Sequence, residues 1–301
     1  MKIATFLSSQ TGISFFCHPM RKRLIVMAAV FVAMLASPLN GAVISFENPS
    51  DLNDFQQTAN NFWSRSEGTG INGSYGLVGL NTGNNGWATY SAHSFNPQNA
   101  NLSTGIFFKL NNPTTTSSGY SIMVGIVPNE NYVPNLSNEE NPDKNHILAA
   151  LHYNSTSNEG EAHKFRLGSL TSVDGQVTPV YSDYHSLAFD SWYYLSLDIS
   201  FDPNTSRYSY TISLFGTDEQ GNPTGSALIQ LTRNDVSVPG LGSAANNYLF
   251  FGLNGRAPTR GIDAVDNFTY NFAIPEARSM TLLGITGLGL LCLQRQRSLR
   301  P

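Results

Sequence analysis

The segment from Tyr193 to Phe201 alternates without a break. Tyr193, Leu195, Leu197, Ile199 and Phe201 fall on one side, and Tyr194, Ser196, Asp198 and Ser200 on the other. This is the period of a strand, whose side chains point up and down in turn, and no helix gathers such a set on one face. Asp202-Pro203-Asn204-Thr205-Ser206 follows, where Pro, Asn and Asp supply turn geometry. Alternation then resumes, with Tyr208, Tyr210, Ile212 and Leu214 set against Ser209, Thr211 and Ser213. The pattern predicts a long antiparallel hairpin with one buried face.

Shorter runs of the same kind occur at Ile106–Leu110, Tyr120–Val127, His146–Tyr153, Tyr248–Leu253 and Val265–Phe272. The connections between them are rich in Asn, Gly, Ser, Thr and Pro. Neither an amphipathic helix nor an internal repeat emerges between residues 43 and 273. Strand after strand with turn-rich links predicts an all-β fold, an antiparallel β-sandwich or jelly roll. The body, 43–273, is about 230 residues and can bury one sizeable core.

The two ends have a different character. Arg21-Lys22-Arg23 precedes the apolar run Leu24–Ala36, and Ser37-Pro38-Leu39-Asn40-Gly41-Ala42 follows. A basic start, an apolar run and a small-residue exit make a secretory signal peptide, with cleavage expected after Ala42. This order begins only at Met20, the expected start of translation; the other reading keeps residues 1–19 as a long leading region. At the far end, Ile274-Pro275-Glu276-Ala277 leads into the apolar stretch Met280–Leu293 and the basic cluster Arg295, Arg297 and Arg300. That stretch makes roughly 21 Å of helix, short of the hydrocarbon core of about 30 Å.

The three-part tail, residues 274–301, resembles the PEP-CTERM sorting signal of Gram-negative bacteria that make exopolysaccharide. It departs from that motif at Ala277, where the motif has a second proline. The resemblance implies an exported protein of the cell envelope, surface or extracellular matrix. It implies transient association with the inner membrane through the tail, and an exosortase, a membrane cysteine protease, as processing partner.

Both cysteines, Cys17 and Cys292, lie in the end segments, so the body must hold together without disulfides. The body keeps nine basic and twenty acidic residues, a net charge of about −11. That balance argues against nucleic acid or an anionic membrane surface as partner.

The Ser191-Trp192-Tyr193-Tyr194-Leu195 strand, the long hairpin after it and the length of the body resemble the concanavalin A-like/laminin G-like jelly rolls. In that fold the first and last strands lie side by side; here they would be Val43–Glu47 and Val265–Tyr270. The resemblance implies a fold shared by lectins, carbohydrate-binding modules and some glycosidases, and fold alone does not choose among them.

Catalytic residues are not expected. Glycosidases need two carboxyl groups across a cleft, and the same-strand spacing Glu-x-Asp-x-x-Glu is absent. Glu159-Gly160-Glu161 and Glu139-Glu140 with Asp143 read as solvated loops. His152 alternates with Leu151 and Tyr153 and reads as a packing or surface histidine. A structural calcium ion is the candidate cofactor, since hard cations take carboxylate oxygens; Glu47, Asp263 and Asp266 would meet where the first and last strands adjoin. Asp202-x-Asn204-x-Ser206 lacks the rest of an EF-hand loop and reads as a turn. Sugar stacking needs exposed rings beside polar side chains. Trp63, Trp87 and Tyr90 are the candidates, with Asn84-Asn85-Gly86-Trp87 as a loop-tip platform, and Tyr181 and Tyr184 lie in similar stretches.

These observations predict an exported, non-catalytic surface or exopolysaccharide-matrix protein. The alternative is a dedicated carbohydrate-binding, lectin-like module. A divergent glycan-active enzyme comes last.

Overall fold

The computed structural model describes residues 42–58, 62–79, 86–99, 101–114, 118–134, 145–155, 163–239, 241, 247–254 and 258–272. The leader and the tail with Pro275 and Glu276 lie outside these residues. So do Asn84-Asn85 and the acidic stretches at Glu139–Asp143 and Glu159–Glu161.

The described strands run β1 Ala42–Ile44, β2 Phe55–Thr58, β3 Trp63–Ser66, β4 Gly76–Gly79, β5 Gly86–Phe95, β6 Leu102–Leu110, β7 Gly119–Val127, β8 His146–Asn154, β9 Lys164–Val173, β10 Gln176–Tyr181, β11 Ser191–Asp202, β12 Arg207–Gly216, β13 Ile229–Val236, β14 Asn247–Leu253 and β15 Ile262–Phe272. One sheet has eight strands in the order β13-β12-β11-β6-β15-β4-β3, with β1 also on β15. The other has seven, in the order β10-β9-β8-β7-β14-β5-β2. All strand pairs are antiparallel. The described helical residues form short 3-10 turns such as Asp51–Asp54 and Ile71–Gly73. No described helix is long and apolar enough to cross a membrane. The architecture is the all-β antiparallel sandwich that the alternation predicts.

The predicted hairpin is β11–β12, in register from Tyr193↔Gly216 to Asp202↔Arg207. Its turn is closed by Asp202, whose carboxylate accepts from the Asn204 N–H at 2.9 Å and the Thr205 hydroxyl at 3.0 Å. Leu195 and Leu197 are fully buried between the sheets, and Asp198 and Ser200 face water. The opposite face is not polar and solvated along its whole length. Ser196, between Gly105 and Ser213 on the neighbouring strands, is only 4% exposed. The first and last strands adjoin as predicted: Ala42, Val43 and Ile44 pair with Tyr270, Thr269 and Phe268.

The core lies between the sheets. Phe46, Phe55, Phe251 and Phe268 pack ring on ring at one end, with centroids 5.3–6.3 Å apart, and Leu, Ile and Val from the paired strands fill the rest. A second apolar cluster occupies the other face of the seven-stranded sheet: Trp87, Met123, Val127, Tyr132, Leu148, Ala150, Leu170 and Phe250. This is why β7 and β8 read as nearly continuous apolar runs: each is buried on both faces.

Candidate functional site

The outer face of the seven-stranded sheet carries one row of polar and aromatic side chains. Tyr120 on β7 stands opposite His152 on β8, and His152 stands opposite Arg166 on β9. The neighbours Leu151, Tyr153, Phe165 and Leu167 point into the core. Alternation therefore sends His152 and Arg166 outward. Tyr181, at the end of β10, closes the row. Its ring passes beside Gly168, where an added Cβ would lie 3.1 Å from the ring. From there it reaches His152 at a centroid distance of 5.3 Å, and its hydroxyl shares a 2.7 Å hydrogen bond with that of Tyr120. Tyr120 meets His152 edge to face, 5.3 Å away at 73°.

Arg166 is held by aromatic faces. Its guanidinium carbon lies 3.6 Å from the Tyr181 ring centroid and 4.5 Å from that of Tyr184. Tyr184 is brought there by the chain leaving β10. Ser182 donates its N–H to the Leu167 carbonyl and accepts from the Leu167 N–H, both at 2.9 Å. Phe165 and His185 then exchange backbone hydrogen bonds of 2.8 and 2.6 Å. Tyr120, His152, Arg166, Tyr181 and Tyr184 are all half-buried.

The electrostatics follow from this packing. Burial, and then the positive charges of Arg166 and Arg260, push the His152 imidazole down to about 4. It is therefore neutral at physiological pH. Burial and the hydrogen bond to Tyr181 push the Tyr120 hydroxyl up, so it stays a phenol. His152 Nδ1 and Arg166 Nε are buried without a hydrogen-bond partner. Among the described residues, Arg166 makes neither a hydrogen bond nor an ion pair, and its contacts are the two rings. The cluster thus offers ring surface, hydroxyls, an imidazole and an unclaimed guanidinium fork. None of its members is a carboxylate or a strong nucleophile.

The residues expected to stack on sugar do not form a platform. Trp63 is 1% exposed, wedged between Phe62 at 5.2 Å and Phe251 at 5.5 Å. Trp87 is 2% exposed and packs on Phe250 at 5.7 Å. It belongs to β5 rather than a loop tip. The strand starts at Gly86, which has no side chain because the Phe62 ring occupies that space. Tyr90 is also buried, its hydroxyl 3.1 Å from that of Tyr270. None of the three offers a ring face to a ligand.

The expected calcium carboxylates do not converge either. Asp263 is exposed and lies 3.3 Å from Lys109 Nζ. Asp266 is 1% exposed and accepts from the N–H groups of Ile71 at 2.9 Å and Asn267 at 2.7 Å. Burial pushes its carboxyl up to about 6, with Glu47 adding a smaller upward push. Glu47 itself is exposed. Among the described residues, no group of three or more His, Cys, Asp or Glu side chains could hold a metal ion.

Of the observed cluster, Tyr181 and Tyr184 were legible as candidate rings, whereas Tyr120, His152 and Arg166 were not. Their meeting depends on strand register between distant segments, which no local motif signals.

None of the protein-family models matches the chain, and no curated protein sequence matches it. Solved structures do. A lectin, UEA-II complexed with galactose, is similar at a TM-score of 0.51 and 11% identity, over 78% of this chain and 99% of that one. Lectin II from Ulex europaeus gives a TM-score of 0.48 at 11% identity, over 73% of this chain and 93% of that one. Peanut lectin with a 9-mer peptide gives 0.46 at 14%, over 78% and 99%. The likeness is one of fold: this chain is a concanavalin A-like β-sandwich.

Proposed function

We propose that this chain is a lectin-like module that holds a glycan at the half-buried Tyr120–His152–Arg166 row on the outer face of its seven-stranded sheet and does not cleave it. The observation that carries this reading is the row Tyr120–His152–Arg166 with Tyr181 and Tyr184 beside it. Half-buried rings and unclaimed donors suit a polyhydroxylated ligand, which presents acceptors and apolar C–H patches together. The fold, shared with a lectin complexed with galactose, is consistent with binding but does not choose the ligand. The ends of the chain support an exported protein of a Gram-negative envelope or exopolysaccharide matrix, with an exosortase processing the tail that carries Pro275-Glu276.

Two experiments test these parts separately. A glycan array probed with the purified chain should show binding, and Tyr181→Ala should weaken it. An array without a signal would overturn the lectin-like reading in favour of a structural matrix protein. Mass spectrometry of the native surface protein should recover no peptide containing Arg295–Arg300; intact tail peptides in the mature pool would refute processing.

A further inference from the structure

We infer that the ligand of the outer-face row is an acidic glycan, whose carboxylate is taken by Arg166. The inference rests on the lectin-like reading and names its ligand class.

Arg166 carries a charge that no described residue compensates. A half-buried guanidinium normally has a carboxylate or carbonyl partner, because charge removed from water without one is costly. Three other cations of this body follow the rule, whereas Arg233 on β13 also keeps Nη1 buried without a hydrogen-bond partner. Lys109 lies against Asp263, Arg207 against Asp235, and Arg65 donates to the carbonyls of Phe46 and Glu47. Arg166 does not: its charge rests on the Tyr181 and Tyr184 faces, and its donors meet no acceptor among the described residues.

The field around it is positive. The charges that act on His152 are those of Arg166 and Arg260, and both oppose its protonation. Arg260 lies against Gly119 at the start of β7 and donates to the Asn254 carbonyl at 2.7 Å. In a body of net charge about −11, a local positive site is not a by-product of a basic surface.

Geometry narrows the anion. Contact with the faces of Tyr181 and Tyr184 restrains the guanidinium, and its planar fork suits an oxyanion such as a carboxylate, which it binds through two parallel hydrogen bonds. The flanking rings and hydroxyls fit the sugar that carries the carboxylate. A uronic-acid polymer supplies both parts. The acidic body repels such a polymer at long range, so recognition depends on the short-range fork. Added salt screens the repulsion as well as the attraction. Binding should therefore lack the steep salt loss of a basic polyelectrolyte binder.

The test uses the purified full chain on immobilised polygalacturonate and alginate, on the same polymers after carboxyl reduction, and on dextran and dextran sulfate. At least one polyuronate should be retained, with carboxyl reduction weakening retention about tenfold. Arg166→Gln should bring the native polymer down to the level of the reduced one, with a melting temperature no lower than that of the parent. Arg166→Lys, which keeps the charge and loses the planar fork, should restore only part. Free galacturonate should elute the parent chain where free galactose does not, a check that needs no variant. Equal retention on native and reduced polymers would overturn the carboxylate assignment and leave glycan binding standing. Stronger retention on dextran sulfate than on either polyuronate, unchanged in Arg166→Gln, would also overturn it. Retention on no glycan, neutral ones included, would remove the lectin-like reading and this inference with it.

Discussion

His152 and Arg166 stand directly opposite each other on neighbouring strands, and each keeps a nitrogen buried without a hydrogen-bond partner. Such orphans are few in folded proteins. Here two of them share one rung, beside a charge that has no counter-ion among the described residues. Each costs stability, and a row of such costs in one place is the signature of a site shaped for something other than stability.

The same histidine sets a pH dependence, and Asp266 opposes it. His152 is held down to about 4, so the unfolded chain binds its proton first as pH falls through about 6.5. Stability is lost between about pH 6.5 and 4, by about 3 kcal/mol. Asp266 is raised to about 6, so the folded chain binds its proton first, and stability is gained as pH falls through about 6 toward 4. That gain is about 3 kcal/mol. The two contributions nearly cancel. Urea melts between pH 4 and 7 should show His152→Gln gaining stability on acidification and Asp266→Asn losing it. Parallel curves for the two variants would show that neither group titrates as described.

Ser196 and Ser200 lie on the same outer face of β11 and should respond differently. Ser200 faces water, whereas Ser196, paired with Gly105 and Ser213, is buried. Ser200→Asp should stay within about 0.5 kcal/mol of the parent. Ser196→Asp buries an unpaired carboxylate and should cost about 2–4 kcal/mol in denaturant unfolding. Leu197→Asp, on the inner face, should be more severe than either. A mild Ser196→Asp would mean that the outer face is open at this point.

Trp87→Ala separates packing from binding. The ring is buried against Phe250 within the outer apolar cluster. Truncation should cost about 3–5 kcal/mol and leave the glycan affinity of the folded fraction unchanged. A loss of affinity at parental stability would restore Trp87 as a ligand platform.

These contrasts mark how far the sequence could be read. Local alternation and turn chemistry were enough for the β11–β12 hairpin, because its partners are close along the chain. The pairing of β1 with β15 followed from the resemblance to jelly rolls, not from any local pattern. Trp87 looked exposed because Asn84, Asn85 and Gly86 precede it, and polar neighbours usually mean a loop. The signal against that reading was the unbroken apolar run of β7, which requires cover on both faces of the sheet. The metal expectation brought Asp263 and Asp266 together, but residues three apart on a strand point to opposite faces, and here Asp263 is exposed while Asp266 is buried. The site itself was written in three separate strands, and only their register brings Tyr120, His152 and Arg166 into one rung.

Gly168 tests whether that rung works as a unit. It sits on β9 opposite Tyr181 of β10 and beside Ala150 of β8, and its missing side chain lets the Tyr181 ring reach across toward His152. A Cβ added there would lie 3.1 Å from the ring, close enough to displace it by a few tenths of an ångström but not to block folding. Gly168→Ala should therefore cost at most about 1 kcal/mol, and the gain in unfolded-state stiffness offsets part of that. The displaced ring loosens its contact with His152 and its hold on the Arg166 plane, so glycan retention should fall several-fold, a loss of about 1 kcal/mol in binding. Calorimetric unfolding and retention measured on the same sample distinguish the outcomes. Unchanged retention with a displaced ring would mean that Tyr181 packs against the row without shaping it for a ligand. A large loss of stability would mean that the ring cannot yield, and that Gly168 serves the fold before the site.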